Sequence, residues 1–320
     1  MREYTSPDAN ASPEGLRAFL VPEVPEHIRH DVRIKSYPDG TFDVLVADRA
    51  IFRAPGWEAR PDPEGERARA WEEFWAQADP MPEVELSSYH LARREAAEQQ
   101  RAADNLDRAQ RRAKVALRGL ALSNDFRYFV TLTLDASRVD RHDVKAITRK
   151  LNNWLDNQVR RSGLRYVLVP ERHKDGAIHF HGFFNDALSV VDSGTVIPPE
   201  GGRPRKPRSA AQRRLWLQGG GHVVYNLPAW SLGFTTAIEL YGSKRAAVAY
   251  VCKYISKQQH DGGKIGGRWY YSGGDLRRPT VTLADASQCD FSTLTPAGEF
   301  TVDALGVKVV RYSSEGGDGL

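Results

Sequence analysis

One stretch, Tyr166 to Phe184, reads YVLVPERHKDGAIHFHGFF and leaves the chain little choice of local structure. Two apolar runs, Tyr166–Val169 and Ala177–Phe184, flank the turn signal Lys174-Asp175-Gly176, which predicts a β-hairpin. Alternate side chains of a strand share a face, so His179 and His181 point one way and Phe180 the other. Two imidazoles side by side on a stiff strand can offer two neutral nitrogens to a divalent metal. Glu171, late in the partner strand, is placed to add a carboxylate. Two His and one carboxylate leave coordination positions open, which catalysis requires and a purely structural site does not. His173 competes with Glu171 as the third ligand, and strand parity alone does not choose between them.

The histidine pair carries little weight by itself. Nine histidines in 320 residues give about 0.25 His-x-His pairs by chance. Its weight comes from the residues around it in the chain. Composition sets the limits: 41% apolar and 27% charged residues are ordinary for a globular protein large enough for a full core plus an accessory part. No run reaches the roughly 18 apolar residues of a membrane span, and the start MREYTSPDAN lacks the apolar core of a secretory signal. Cys252 and Cys289 are the only cysteines, which argues against a disulfide framework and fits a reducing cytoplasm. The net charge of +4 hides an asymmetry, because residues 1–80 hold 10 Lys and Arg against 16 Asp and Glu. A basic body behind an acidic N-terminal part favours a polyanion, most simply nucleic acid, as partner.

Taken in order, residues 1–80 are expected to form an acidic accessory module. It has a small hairpin at Val32–Val46 and a short helix around Ala68–Trp75. Residues 81–122 read as a basic helix whose narrow apolar stripe includes Leu106, Ala109, Ala113, Ala116 and Leu120. The main domain is placed at 123–275. Phe126–Leu134 is its first strand, a helix capped by Asp140 runs to about Arg161, and the hairpin follows. Strand–helix–strand–strand is half of a ferredoxin-like or RRM-like antiparallel-sheet α+β domain. Residues 186–221 interrupt it as a Gly- and Pro-rich loop, functional or disordered, expected to order on DNA through Arg203, Arg205, Lys206, Arg208, Arg213 and Arg214. Strands at Val223–Tyr225 and Gly233–Leu240 precede a helix at Lys244–Lys257, and 276–320 reads as a C-terminal tail with a β-like end at Val307–Tyr312.

That last helix ends AYVCKYISK. Tyr250 and Tyr254 are four residues apart and share a helical face, and each has a lysine three residues on, Lys253 and Lys257. Tyrosine at this spacing is commonly core, yet lysine is seldom buried, so a doubled Tyr-x-x-Lys is an odd way to build one. A tyrosine can instead attack a phosphodiester and hold one DNA end covalently. Its pKa of about 10 makes it a weak nucleophile at neutral pH unless a nearby cation favours the phenolate or a metal polarises the phosphate.

Three motifs in order, FVTLTL at Phe129–Leu134, His179-Phe180-His181 and YVCKYISK at Tyr250–Lys257, resemble the HUH endonuclease superfamily. Within it the chain is most similar to the rolling-circle replication initiators of plasmids and single-stranded-DNA phages. The resemblance spans roughly Phe126 to Lys257. It implies an antiparallel sheet with a metal site on its face, held by His179, His181 and Glu171, and the tyrosine helix beside it. It also implies Mg²⁺ or Mn²⁺, a single-stranded or hairpin origin substrate, and nicking and joining through a 5′-phosphotyrosine. Tyr254 would be the first nucleophile and Tyr250 the second, with Lys253 and Lys257 in support. The sequence has no G-x-x-x-x-G-K-[ST], so a host helicase and DNA polymerase are expected as partners.

Within the same chemistry, a relaxase or transposase is the alternative, but relaxases more often carry three histidines and an N-terminal tyrosine, and compact transposases a single tyrosine. A catalytically idle DNA-binding repressor would need neither the tyrosine pair nor the histidine pair.

Overall fold

The computed structural model describes residues 29–53, 88–260, 263–302 and 305–314. The expected helix at Ala68–Trp75 lies outside them. The chain divides into two compact units, a larger one built mainly from 106–280 and a smaller one that draws on both ends of the chain. The fold is mixed α+β, with two antiparallel sheets and packed helices, as the sequence leads one to expect.

The smaller unit holds a five-stranded sheet. Its strands are β1 (Val32–Ser36), β2 (Phe42–Ala47), β10 (Thr280–Ala284), β11 (Pro296–Val302) and β12 (Val307–Ser313), in the order β10-β1-β2-β12-β11. The expected N-terminal hairpin is there, but residues 280–313 are no tail. They supply the other three strands, and Val44 of the hairpin sits opposite Tyr312. Val32, Ile34, Val44 and Ala284 form the buried face.

The larger unit holds the remaining strands. Four make the centre of its sheet: β3 (Tyr128–Leu134), β4 (Tyr166–Arg172), β5 (Ile178–Phe184) and β8 (Gly233–Glu239). With β6 (Val191–Ile197), β7 (His222–Asn226) and β9 (Tyr271–Gly273) at the margins, the order is β6-β7-β8-β3-β5-β4-β9. Helix α2 (Val144–Ser162) links β3 to β4, and β5 inserts between those two strands as the antiparallel partner of both, a split β-α-β arrangement. The N-cap of α2 is Asp143, whose carboxylate accepts from the amide of Ala146. Asp140, the expected cap, makes a separate turn one step earlier by accepting from His142. Ile147, Leu151, Trp154 and Leu155 of α2 bury one sheet face with Val130, Leu132, Leu168 and Phe180.

The opposite face is covered over β4 and β5 by α4 (Lys244–His260), through Val248, Val251 and Ile255, and by the C-terminal half of α1 (Ser88–Ser123), through Leu117 and Leu122. β4 is therefore buried on both faces, which explains its unbroken apolar run. The segment 186–221, expected as a loop, carries the edge strand β6 and helix α3 (Ala210–Gln218), which leads into β7. Ser209 caps α3, and the polar faces of these elements hid them from a periodicity reading.

Two glycines set the hairpin. Gly176 takes the left-handed backbone (φ 82°) that its turn requires. Gly182, directly after the histidine pair, lies so close to β4 that a Cβ on it would fall 1.9 Å from the Val167 carbonyl oxygen. Gly182→Ala is expected to destabilise the protein by about 3 kcal/mol or more, because neither strand can retreat from its ladder. Denaturant unfolding of the two proteins checks this.

Candidate active site

The site follows from strand register. Across the sheet, Phe234, Thr133, His179 and Glu171 face one another in one row, and Thr236, Thr131, His181 and Val169 in the next. Both histidines and Glu171 thus stand on the face that α4 covers in part. Each imidazole is held by a threonine of β3: Thr131 Oγ1 lies 3.1 Å from His181 Nδ1, and Thr133 Oγ1 lies 3.3 Å from His179 Nδ1. These are the two threonines of the FVTLTL motif, and sequence reading left them without a role. The visible signal was the matching spacing of two, Thr-x-Thr against His-x-His. Fixing Nδ1 turns each Nε2 toward the open face.

His181 Nε2 lies 2.7 Å from Glu171 Oε2, and the other oxygen of Glu171 pairs with Lys257. Partial burial pushes the Glu171 carboxyl up, but the hydrogen bonds from His181 and Lys257 outweigh it and hold the group at about 2. His179 is pulled below the usual imidazole range by burial and by its neighbours His173 and His181, so it presents a neutral ring. His173, the other candidate third ligand, stacks on His179 with ring centres 5.2 Å apart and pairs with Asp175 rather than reaching His181.

Helix α4 brings in the tyrosines. The Tyr254 ring lies flat on His181, centroids 4.2 Å apart and planes 6° from parallel. Tyr250 stands one turn earlier, 49% exposed, edge-on to Phe129 at 5.8 Å. The Tyr254 hydroxyl donates to the Tyr250 oxygen at 2.8 Å. Burial first, then that hydrogen bond and the nearby Glu171 carboxylate, raise the Tyr254 phenol well above its ordinary value. The lysines were expected to favour its phenolate, and here they do not. Lys257 is engaged by Glu171, and Lys253 is exposed.

The last turn of α4 is pinned to β4 by a residue the sequence reading passed over. Pro170 has no N–H, so the β4 edge beyond Leu168 cannot continue its ladder with β9. Buried Gln258 bridges the gap, its amide donating to the carbonyls of Pro170 and Trp269 at 2.9 Å each. It adjoins Lys257 and lies one turn after Tyr254, so it fixes the helix against the strand that carries Glu171.

The six basic residues expected to meet DNA lie apart from this centre. Arg203, Arg205, Lys206, Arg208 and Arg214 are exposed around α3 and the strand edge. Arg205 pairs with Glu200, and Arg213 pairs with Asp192.

Two imidazoles with oriented rings and a low-pKa carboxylate are suitable donors for a hard divalent cation. Among the described residues, however, no three His, Cys, Asp or Glu side chains already surround a common point. Glu171 and His181 are bonded to each other, so ligation by both requires that bond to open. The site is also an open face rather than a cavity. A cleft of about 440 Å³ lies at the other end of β3, among Asp125, Arg127, Arg165, Asp186 and Glu239. An exposed face suits a polymer better than a small molecule.

Replacing Thr131 or Thr133 by valine keeps the shape but frees an imidazole to rotate. Each change is expected to cost about 10–100-fold in cation affinity or cleavage, measurable by calorimetric titration of Mn²⁺.

Residues 127–259 match a family model for replication-associated proteins of the ORF2 type. The matched segment runs from the start of β3 to the last turn of α4 and contains both histidines, Glu171 and both tyrosines. It agrees with the resemblance to replication initiators. No curated protein and no solved structure matches the chain significantly. Among the described residues no helix is long and apolar enough to cross a membrane.

Proposed function

We propose that the chain initiates rolling-circle DNA replication by nicking one strand, holding its 5′ end on a tyrosine, and later rejoining it. The observation that carries this reading is the Tyr254 ring resting on His181, on the sheet face that also bears His179 and Glu171. The replication-associated family match over the same residues supports it.

In the nicking step the phenol oxygen of Tyr254 bonds to phosphorus and the bond to the 3′ oxygen breaks. The phenol gives up a proton and the departing 3′ oxygen gains one, so the strand end is a free primer and no nucleotide is consumed. His181 and Phe129 hold the two phenols against the face, and Thr131 and Thr133 hold the imidazoles. His179, His181 and Glu171 would hold Mg²⁺ or Mn²⁺, which when bound polarises the phosphate and balances the charge that develops on it. Tyr250 follows as the acceptor of the second transfer. Unwinding and copying fall to a host helicase and polymerase.

The test is incubation with Mn²⁺ and single-stranded fragments of the replicon that encodes the protein. An adduct that survives denaturant, and is lost in Tyr250→Phe/Tyr254→Phe, is expected. Tight binding with no adduct on any fragment would make the protein an idle DNA binder instead.

A further inference from the structure

Helix α4 covers the site-bearing face over β4 and β5 and leaves β3 and β8 bare. On that bare half stands Phe234, in the interior of a strand with neighbours on both sides, yet 66% exposed. Single exposed apolar residues are common on protein surfaces. This one shares a cross-strand row with the site: Phe234 faces Thr133, and Thr133 faces and bonds His179. Two strand spacings put it about 10 Å from His179. The floor between them is low and polar, made of the half-buried Thr131, Thr133 and Thr236. The same sheet continues past β8 to β7 and β6, where residues 191–221 hold six Lys and Arg against two acids, Asp192 and Glu200.

We infer that this bare half of the sheet is a platform for single-stranded DNA, on which Phe234 stacks against one unpaired base beside the phosphate to be cut. The inference rests on the nicking reading and extends it to a residue that sets how the strand lies. Three features point to nucleic acid as the occupant. A flat exposed ring offers a face to any base. The hydroxyl floor gives hydrogen-bonding groups to the backbone. The basic margin gives the charge that phosphates require. A duplex keeps its base faces stacked internally, so the ring selects an unpaired strand.

Fluorescence anisotropy, with EDTA present to prevent cleavage, would compare a labelled dT20 with an abasic 20-mer carrying the same phosphates. Wild type is expected to prefer dT20. Phe234→Ala should weaken dT20 binding about 5- to 150-fold, the 1–3 kcal/mol that stacking one base is worth, and leave the abasic strand unchanged. Phe234→Trp should restore the preference. Equal dT20 affinity for wild type and Phe234→Ala overturns the platform while the nicking reading stands. Self-association that Phe234→Ala abolishes, with dT20 binding unchanged, would give the ring to a second copy of the chain and overturn it equally. Failure of wild type to bind either strand removes the single-stranded substrate, and the inference with it.

Discussion

His181→Ala is expected to slow strand cleavage by at least about 10³-fold while single-strand affinity changes by less than about threefold. His181 is the common support of the site. The Tyr254 ring lies on it, Glu171 bonds its Nε2 at 2.7 Å, and Thr131 bonds its Nδ1. Alanine removes the surface that positions the nucleophile and one metal-donor nitrogen together. Loss of several kcal/mol of transition-state stabilisation corresponds to a thousandfold or more in rate. Binding should survive, because affinity for a strand comes chiefly from phosphate contacts made by basic residues spread over other elements, as around α3. His179→Ala should behave alike, with Tyr254 less disturbed because its ring rests on His181 alone of the two. Single-turnover cleavage and filter binding on one oligonucleotide measure both quantities. Binding that falls in proportion to cleavage would mean the histidines hold DNA rather than act on it.

Much of this centre could be read from the chain because it is made of short-range patterns. The Lys174-Asp175-Gly176 turn fixes the hairpin register, which sets Glu171 opposite His179, and a spacing of four fixes Tyr250 above Tyr254. What escaped reading depends on pairs far apart in sequence. The small sheet joins β2 to β12 across more than 250 residues, and neither partner's pattern names the other. Gln258 looks like an ordinary helix residue until Pro170 leaves a carbonyl with no ladder partner beside it. The failed expectation for Lys257 has the same origin. Its distance from Tyr254 along the helix was visible, but the carboxylate competing for its charge comes from another strand.

That competition sharpens what the two tyrosines should do. Tyr254→Phe is expected to block the first nick, a loss of about 10³-fold or more, whereas Tyr250→Phe should leave the first nick intact and abolish the second transfer. The geometry separates them: Tyr254 lies on His181, and Tyr250 stands at the exposed rim and accepts the Tyr254 proton in a hydrogen bond. That bond helps to keep the Tyr254 phenol protonated, and its pKa lies above the usual value of about 10. Below that pKa the phenolate fraction grows tenfold per pH unit. The first nick should therefore accelerate through pH 7–9 in wild type without a plateau. Tyr250→Phe removes the acceptor, lowers the Tyr254 pKa, and should make the first nick as fast as wild type or faster at pH 7. Rapid-quench assays on the single variants, with mass mapping of the labelled tyrosine, test the order. Equal losses in both variants, or a first adduct on Tyr250, would reverse it and leave the phenol stacked on His181 as the second acceptor.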